Sequence, residues 1–434
     1  MIPFKKLTIL LSIACSVLAA PEGAREKDWW EIGNFYQVYP RSFMDSDGDG
    51  VGDLKGISEK VGYLKEIGMD GVWLSPIFDS PMADFGYDIS NFTKVFPQFG
   101  DLPETFEMVT EWRATLEEFK QKNGGPTRVL MVEAYAPLTK VIQIYGQNGQ
   151  LNGAQIPFNF EFLNNLGAVS NARDFKDVID YYLSTIPEGA TPNWVQGNHD
   201  QHRSASRLGP QKADAVNMLL QVLPGAAVTY YGEELAMEDV FVPWSRTVDP
   251  QACTTDPNIF HAKSRDPART PMIWTTQKNA GFSNSNYTWL PTGPDYRKNN
   301  VEVQRSQRGS HLNIFKKLTQ LRKQDILMYG TYDSYLANDD VLVIKREIEN
   351  NRTLIAVLNL GFTEQVVNLN LNDRDWKVPE RMEVATASVN AGMFERQPVV
   401  TSEVYVAAGV GVVLDYQVGR QIPEPRGDDP GLYD

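Results

Sequence analysis

Cysteine is nearly absent: the 434 residues hold two, Cys15 and Cys253. That excludes the disulfide framework that staples many small secreted domains. Basic character is missing too, with 41 Lys and Arg against 55 Asp and Glu and a formal net charge of -14. No Lys/Arg run relieves that balance. A nucleic-acid partner, whose phosphates need a basic surface, is therefore excluded. Beyond the N-terminus no stretch reaches the about eighteen apolar residues of a membrane span. The end of the chain, Arg420 to Asp434, is polar and rich in Pro and Gly. No lipid anchor is expected there.

What is present begins with a leader. Lys5 and Lys6 precede an apolar run from Leu7 to Val17, and Val17-Leu-Ala19 forms a small-x-small cleavage site before Ala20. Residues 1–19 read as a secretory signal peptide, and the protein is expected to be secreted and extracellular. The sequons Asn91-Phe-Thr, Asn286-Tyr-Thr and Asn351-Arg-Thr fit that route. Cys15 leaves with the leader, so Cys253 has no partner within the chain. It is either an inert surface thiol or one whose partner lay in a segment that this chain lacks. Aromatic residues make up 11% of the chain, with 9 Trp and 18 Tyr. Such rings serve as flat platforms in sugar clefts, and equally as filler in large cores.

Between residues 20 and 328 short apolar runs alternate with helical periodicity. The strand-like runs are 35–39, 71–77, 128–134, 155–160, 193–197 and 226–230, with amphipathic helices such as 57–67 and 104–122 between them. That alternation predicts a parallel α/β sheet, and the polar loops after each run suit a (β/α)₈ TIM barrel, whose site lies at the C-terminal ends of its strands. The barrel is incomplete, however. Six runs stand where eight belong, and at roughly 30 residues per unit the stretch from Ile77 to Val129 has room for one helix, not for two further units. From 329 to 416 the pattern becomes antiparallel: runs at 341–347, 353–361, 365–371, 404–407 and 410–416, broken by turns, predict a C-terminal β-sandwich domain. Residues 417–434 form a polar tail without regular structure.

Three features carry chemistry. The turn Asp45-Ser-Asp47-Gly-Asp49-Gly-Val51-Gly-Asp53 sets a carboxylate at every second position. Crowded carboxylates repel unless a hard cation sits among them, so Asp45, Asp47, Asp49 and Asp53, with the Val51 carbonyl, are candidate calcium ligands. A solvated acidic turn is the other reading. Glu133 ends the apolar run Val129-Leu-Met-Val, where partial desolvation would raise its pKa and suit it to protonating a leaving group. Asn198-His199-Asp200 follows the run at 193–197. Asp200 is placed to stabilise a positive, sugar-like transition state, and His199 to hold a sugar hydroxyl.

Taken together, Tyr36-Gln-Val-Tyr-Pro-Arg-Ser-Phe43, Trp73-Leu-Ser-Pro-Ile77, Phe85-Gly-Tyr-Asp-Ile-Ser90, Val132-Glu-Ala134, Gly197-Asn-His-Asp-Gln201 and Ser264-Arg-Asp-Pro-Ala-Arg-Thr-Pro-Met272 make the chain resemble the α-amylase superfamily of glycoside hydrolases. The resemblance is to insect-type α-glucosidases (maltases), and it runs from about Trp29 to Tyr416. It implies retaining hydrolysis of terminal α-linked glucose from maltose- or sucrose-like sugars, and a calcium loop after strand one. It also implies that Glu133 is the general acid/base and Asp200 the transition-state-stabilising carboxylate. His199 would contact the glucose, Asp88 and Arg269 would clamp its non-reducing end, and Tyr87 would stack on it.

The departure from that family is one segment. Its members carry Gly-Phe-Arg-x-Asp-Ala on strand four, whose Asp is the nucleophile, and Asp-x-Val-x-Asn-His on strand three, with a small inserted domain between. None of these occurs here. Family-like sequence stops at Gly100-Asp101 and resumes at Leu102-Pro103, a join as sharp as a skipped exon would make. Since a retaining glycosidase needs two carboxylates about 5 Å apart, the expectation is a secreted α-glucosidase without its nucleophile and without efficient catalysis. The alternative is a non-catalytic carbohydrate-binding or interaction protein on the same fold.

Overall fold

The computed structural model describes residues 25–75, 102–371, 374 and 376–424. The expected leader and Cys15 lie outside them, as do Tyr87, Asp88 and the sequon at Asn91. All six expected parallel runs form strands, four of them shorter than their apolar stretches: β1 (Asn34–Val38), β2 (Gly71–Leu74), β3 (Met131–Val132), β4 (Ile156–Pro157), β5 (Asn193–Val195) and β6 (Ala226–Tyr230). Every pairing among them is parallel. Four strands pair in the order β2-β1-β6-β5, and β3 pairs with β4 alone.

Between β4 and β5 side chains replace the ladder. Asn193 Nδ2 donates to the Pro157 carbonyl at 2.7 Å, and its Oδ1 accepts from the Asn159 N–H at 2.9 Å. Between β2 and β3 the described residues hold one helix, Leu102–Asn123, and no strand. Burial marks the same place. β1, β4, β5 and β6 are buried at every residue, whereas β2 and β3 are not buried at any, and Val72 is 47% exposed. A barrel strand buries both faces when side chains fill the interior on one side and helices cover the other. These two lack a described neighbour on the side where two units are missing. Aromatic rings fill part of the interior instead: Trp73 packs 4.7 Å from Phe158, and Tyr135 lies 4.8 Å from Phe160.

Asp53 caps the helix Leu54–Glu66 by accepting from the Gly56 N–H. Glu234, beyond β6, accepts from the hydroxyls of Tyr36 and Tyr63 at 2.8 and 2.7 Å, which fastens that helix to the sheet.

The antiparallel part comprises β7 (Thr331–Asn338), β8 (Val341–Ile348), β9 (Arg352–Asn359), β10 (Gln365–Val367), β11 (Arg381–Ala387), β12 (Pro398–Val400), β13 (Val404–Val406) and β14 (Gly411–Gln417). Six strands pair in the order β12-β11-β14-β9-β8-β7, and β10 pairs with β13. Strands β7, β11 and β12 add to the five runs expected. Alternation along β8 and β9 explains why the large sheet is buried on both faces. Val341, Val343, Ile355 and Val357 enter the core shared with Val367 and Val404 of the small sheet. Leu342, Ile344, Leu354, Ala356 and Leu358 pack against the helices Ala172–Thr185, Ala213–Val222 and His311–Arg322. Arg346, 2% exposed, crosses that interface and donates to the carbonyls of Val222, Leu327 and Gly330 at 2.8 to 2.9 Å. Among the described residues no helix is long and apolar enough to cross a membrane.

Candidate active site

The loops after β1, β3 and β5, with a segment after β6, bring the candidate residues together. Glu133 follows β3 directly. It is half-buried, and burial pushes its carboxyl up to about 8, with the nearby charge of Asp200 adding to the effect. Asp200 moves the opposite way. Burial opposes its ionisation, but His199, Arg269 and Arg265 more than offset that and hold it below the usual carboxylate range. His199 itself is pushed down to about 3, chiefly by burial, and is a neutral imidazole at physiological pH. The two guanidinium groups therefore carry the effect on Asp200. Two carboxyls driven apart in this way, one neutral and one charged at pH 7, form the pair that acid catalysis and cation stabilisation require.

The contacts around Asp200 are dense. Arg269 Nη2 lies 2.8 Å from Asp200 Oδ1, Arg265 Nη1 3.2 Å, and His199 Nε2 3.4 Å from the same oxygen. The His199 tautomer follows from its other side. The Gln37 amide NH2 stands 2.9 Å from Nδ1 and can only donate there, so Nε2 carries the hydrogen. His199 also stacks on Tyr39 at 5.7 Å, Tyr39 stacks on Trp289 at 6.1 Å, and Arg41 lies over Trp289 at 5.0 Å. Arg269 donates through Nε to the His199 carbonyl at 2.8 Å. Of the two residues expected to clamp the sugar, Arg269 lies beside Asp200, 1% exposed, and Asp88 is outside the described residues.

Sequence reasoning missed several members of this cluster. Arg265 stands in the Ser264–Met272 motif, and Gln37 and Tyr39 in the Tyr36–Phe43 motif, so their position was available as a signal. Asp249 had none. It lies in an irregular stretch and holds Arg265 by a fork, with Nη2 to Oδ1 at 2.6 Å.

The acidic turn divides. Carboxylate oxygens of Asp45, Asp47 and Asp49 lie within 4.8 Å of one another, Asp45 buried and the other two exposed. Asp45 already accepts from the N–H groups of Gly48 and Gly50 at 2.7 and 2.8 Å, and from the Ser283 hydroxyl. Asp53 is spent differently from its three neighbours: Oδ2 accepts from the Ser46 N–H and Oδ1 from the Gly56 N–H, both at 2.7 Å, as a helix cap. The Val51 N–H donates to Asp49 at 2.8 Å. Three clustered carboxylates fit a hard cation in donor type and spacing. Of the sequons, Asn286 and Asn351 are exposed. Cys253 is exposed and unbridged.

Comparisons with known proteins agree with this geometry. The family model for the catalytic domain of alpha amylase matches residues 37–111 and 100–330, two pieces that meet where the two barrel units are missing. The chain is 35% identical to the salivary alpha-glucosidase of Aedes aegypti, over 91% of this chain and 96% of that one. It is 32% identical to maltase A1 of Drosophila melanogaster, over 93% and 99%. The first alignment runs over 559 positions, more than the 434 residues of this chain, so long stretches of that relative face no residue here. Among solved structures, trehalulose synthase MutB superposes with a TM-score of 0.72 at 18% identity, over 90% of this chain and all of that one, a likeness of fold alone. With the family model and both relatives covering most of its length, the chain belongs to the alpha-amylase family and resembles its insect maltases.

Proposed function

We propose that this protein is a secreted α-glucosidase for maltose- or sucrose-like sugars, in a form without its nucleophile, so that it holds such sugars without hydrolysing them efficiently. The observation that carries this reading is the pair Glu133 and Asp200. The acid is pushed up to about 8 and the stabilising carboxylate is held charged, within reach of each other's field. Retaining hydrolysis needs a further carboxylate about 5 Å from the acid, to form the glycosyl–enzyme bond as the leaving oxygen takes the acid's proton. Family members carry it on the strand that would lie between β2 and β3. Without it Glu133 can still donate a proton, and Asp200 can still face positive charge at the anomeric carbon, but no covalent intermediate forms. Loss of a nucleophile lowers turnover by several orders of magnitude.

Binding is the function that such a remnant retains. His199, Asp200 and Arg269 remain joined, which favours the second reading, a carbohydrate-binding protein. Calcium in the Asp45–Asp49 turn and glycans at Asn286 and Asn351 belong to the same proposal. Calcium there would neutralise the crowded carboxylates and stiffen the loop after β1. The test has two arms on the purified chain. An aryl α-glucoside should show turnover at least about 1000-fold below an intact maltase, and calorimetry with maltose should show binding. Turnover near that of the intact enzyme would overturn the reading. So would an absence of sugar binding.

A further inference from the structure

Arg265 has carboxylates on two sides. On one, the Asp249 side chain, with no solvent exposure, accepts from Arg265 Nη2 at 2.6 Å and from Nε at 3.1 and 3.2 Å. It also accepts the Arg265 backbone N–H at 2.6 Å. On the other side, Nη1 reaches Asp200 Oδ1 at 3.2 Å. Asp249 is itself fixed: its N–H donates to Asp266 Oδ2 at 3.1 Å, and its Oδ1 accepts from the Gln251 N–H at 3.1 Å. The guanidinium plane is therefore set by a residue that does not line the cleft. Among the described residues, the side-chain contacts to Asp200 from Arg265, Arg269 and His199 all fall on Oδ1. The carboxylate is pinned by one oxygen, and Oδ2 has no described donor.

We propose that Asp249 is a positioning residue for the sugar site: it aims Arg265 at Oδ1 of Asp200, and so turns Oδ2 toward a sugar hydroxyl. This rests on the reading of Asp200 as a sugar-facing carboxylate. A planar fork suits the task, since one guanidinium can meet two carboxylates along separate edges while its orientation stays fixed.

Among the described residues, the charged and titratable groups around the relay are the following. Asp200 faces Arg265, Arg269, His199 and Glu133. Asp249 faces Arg265, Arg269, Asp266 and Cys253. Their signs make a clean test possible. Replacing Asp249 by Asn removes a negative charge, and by charge alone this would make Asp200 easier to ionise. If Asp249 aims Arg265, the same substitution frees the guanidinium and makes Asp200 harder to ionise. The two accounts predict opposite shifts.

The experiment is carboxyl-¹³C aspartate NMR on the full chain, with the Asp200 signal assigned by its loss in Asp200→Asn. In Asp249→Asn the Asp200 midpoint should rise by about one pH unit. An unchanged or lowered midpoint overturns the proposal. Arg265→Lys keeps the charge without the fork and should raise the midpoint likewise. If Asp249→Asn does not fold, an unchanged midpoint in Arg265→Lys overturns the proposal instead. Calorimetry with glucose should show about tenfold weaker binding in either variant. If the parent chain binds no glucose, the reading of the cleft as a sugar site fails, while the Asp200 titration still decides the relay.

Discussion

The Asn198 side-chain amide donates to the Tyr135 hydroxyl at 2.7 Å, so the loop that carries Glu133 is tied to the loop that carries Asp200. Two parallel strands with no direct ladder between them thus present their acids at a fixed separation. Asn198 completes the tie by accepting the Asp200 N–H at 3.0 Å. Tyr135→Phe removes one hydrogen bond and should lower stability by about 1 kcal/mol. The loop after β3 should loosen with it, and the Glu133 midpoint should move down from about 8 toward its ordinary value as water enters. An NMR titration of Glu133 in the two proteins checks this.

Stability should fall as pH rises toward mild alkalinity. An unfolded Glu titrates near about 4.3, whereas folded Glu133 titrates at about 8. Between those values the native state binds more protons than the unfolded one, so the free energy of unfolding decreases with rising pH across that window. Glu133→Gln removes the share of this slope that Glu133 contributes, leaving that of buried Glu233, which is pushed up to about 7. Allowing for the remaining solvent contact, the variant's gain over the parent should be roughly 2–3 kcal/mol at pH 8.5 and near zero at pH 4. Urea unfolding at the two pH values measures it.

Asp200 balances two buried guanidinium groups, since the side chains of Arg269 and Arg265 are 1% and 6% exposed. Asp200→Ala leaves Arg269 without its carboxylate partner. A loss of about 3 kcal/mol is expected from the stranded charge, together with loss of maltose binding. Denaturant unfolding and calorimetry on one preparation report both effects.

Calcium should raise the thermal unfolding midpoint and EDTA should lower it. At a hundredfold excess over Kd, binding to the native state alone contributes about 2.7 kcal/mol. Asp47→Asn or Asp49→Asn should abolish the response, because these two exposed carboxylates are the members of the cluster with least structural duty. Asp45 is a poorer choice: its N–H partners make its removal harmful with or without metal.

Much of this was legible in the sequence because periodicity and motif order are local signals. Each of the six parallel runs is apolar enough to be found, and their count against eight is itself a sequence signal of the loss. The exposure of Val72 on β2, against the full burial of Val228 on β6, is that arithmetic written in solvent contact. Strands β7, β11 and β12 were not read. Thr331–Asn338 and Arg381–Ala387 interleave polar and charged residues with apolar ones in no long apolar run, and they become strands by pairing toward the flanks of the large sheet. Asp249 was invisible for a different reason. Its importance lies in meeting Arg265 across sixteen residues of irregular chain, and no spacing rule encodes such a contact. Asp53 looked like its acidic neighbours and differs only through the helix that it begins.

The large antiparallel sheet rests on the helices Ala172–Thr185, Ala213–Val222 and His311–Arg322, all C-terminal in sequence to the missing units. Damage and support thus sit on separate sectors of the barrel. The sector of the barrel that carries the sandwich is therefore braced by packing that does not pass through the sector between β2 and β3.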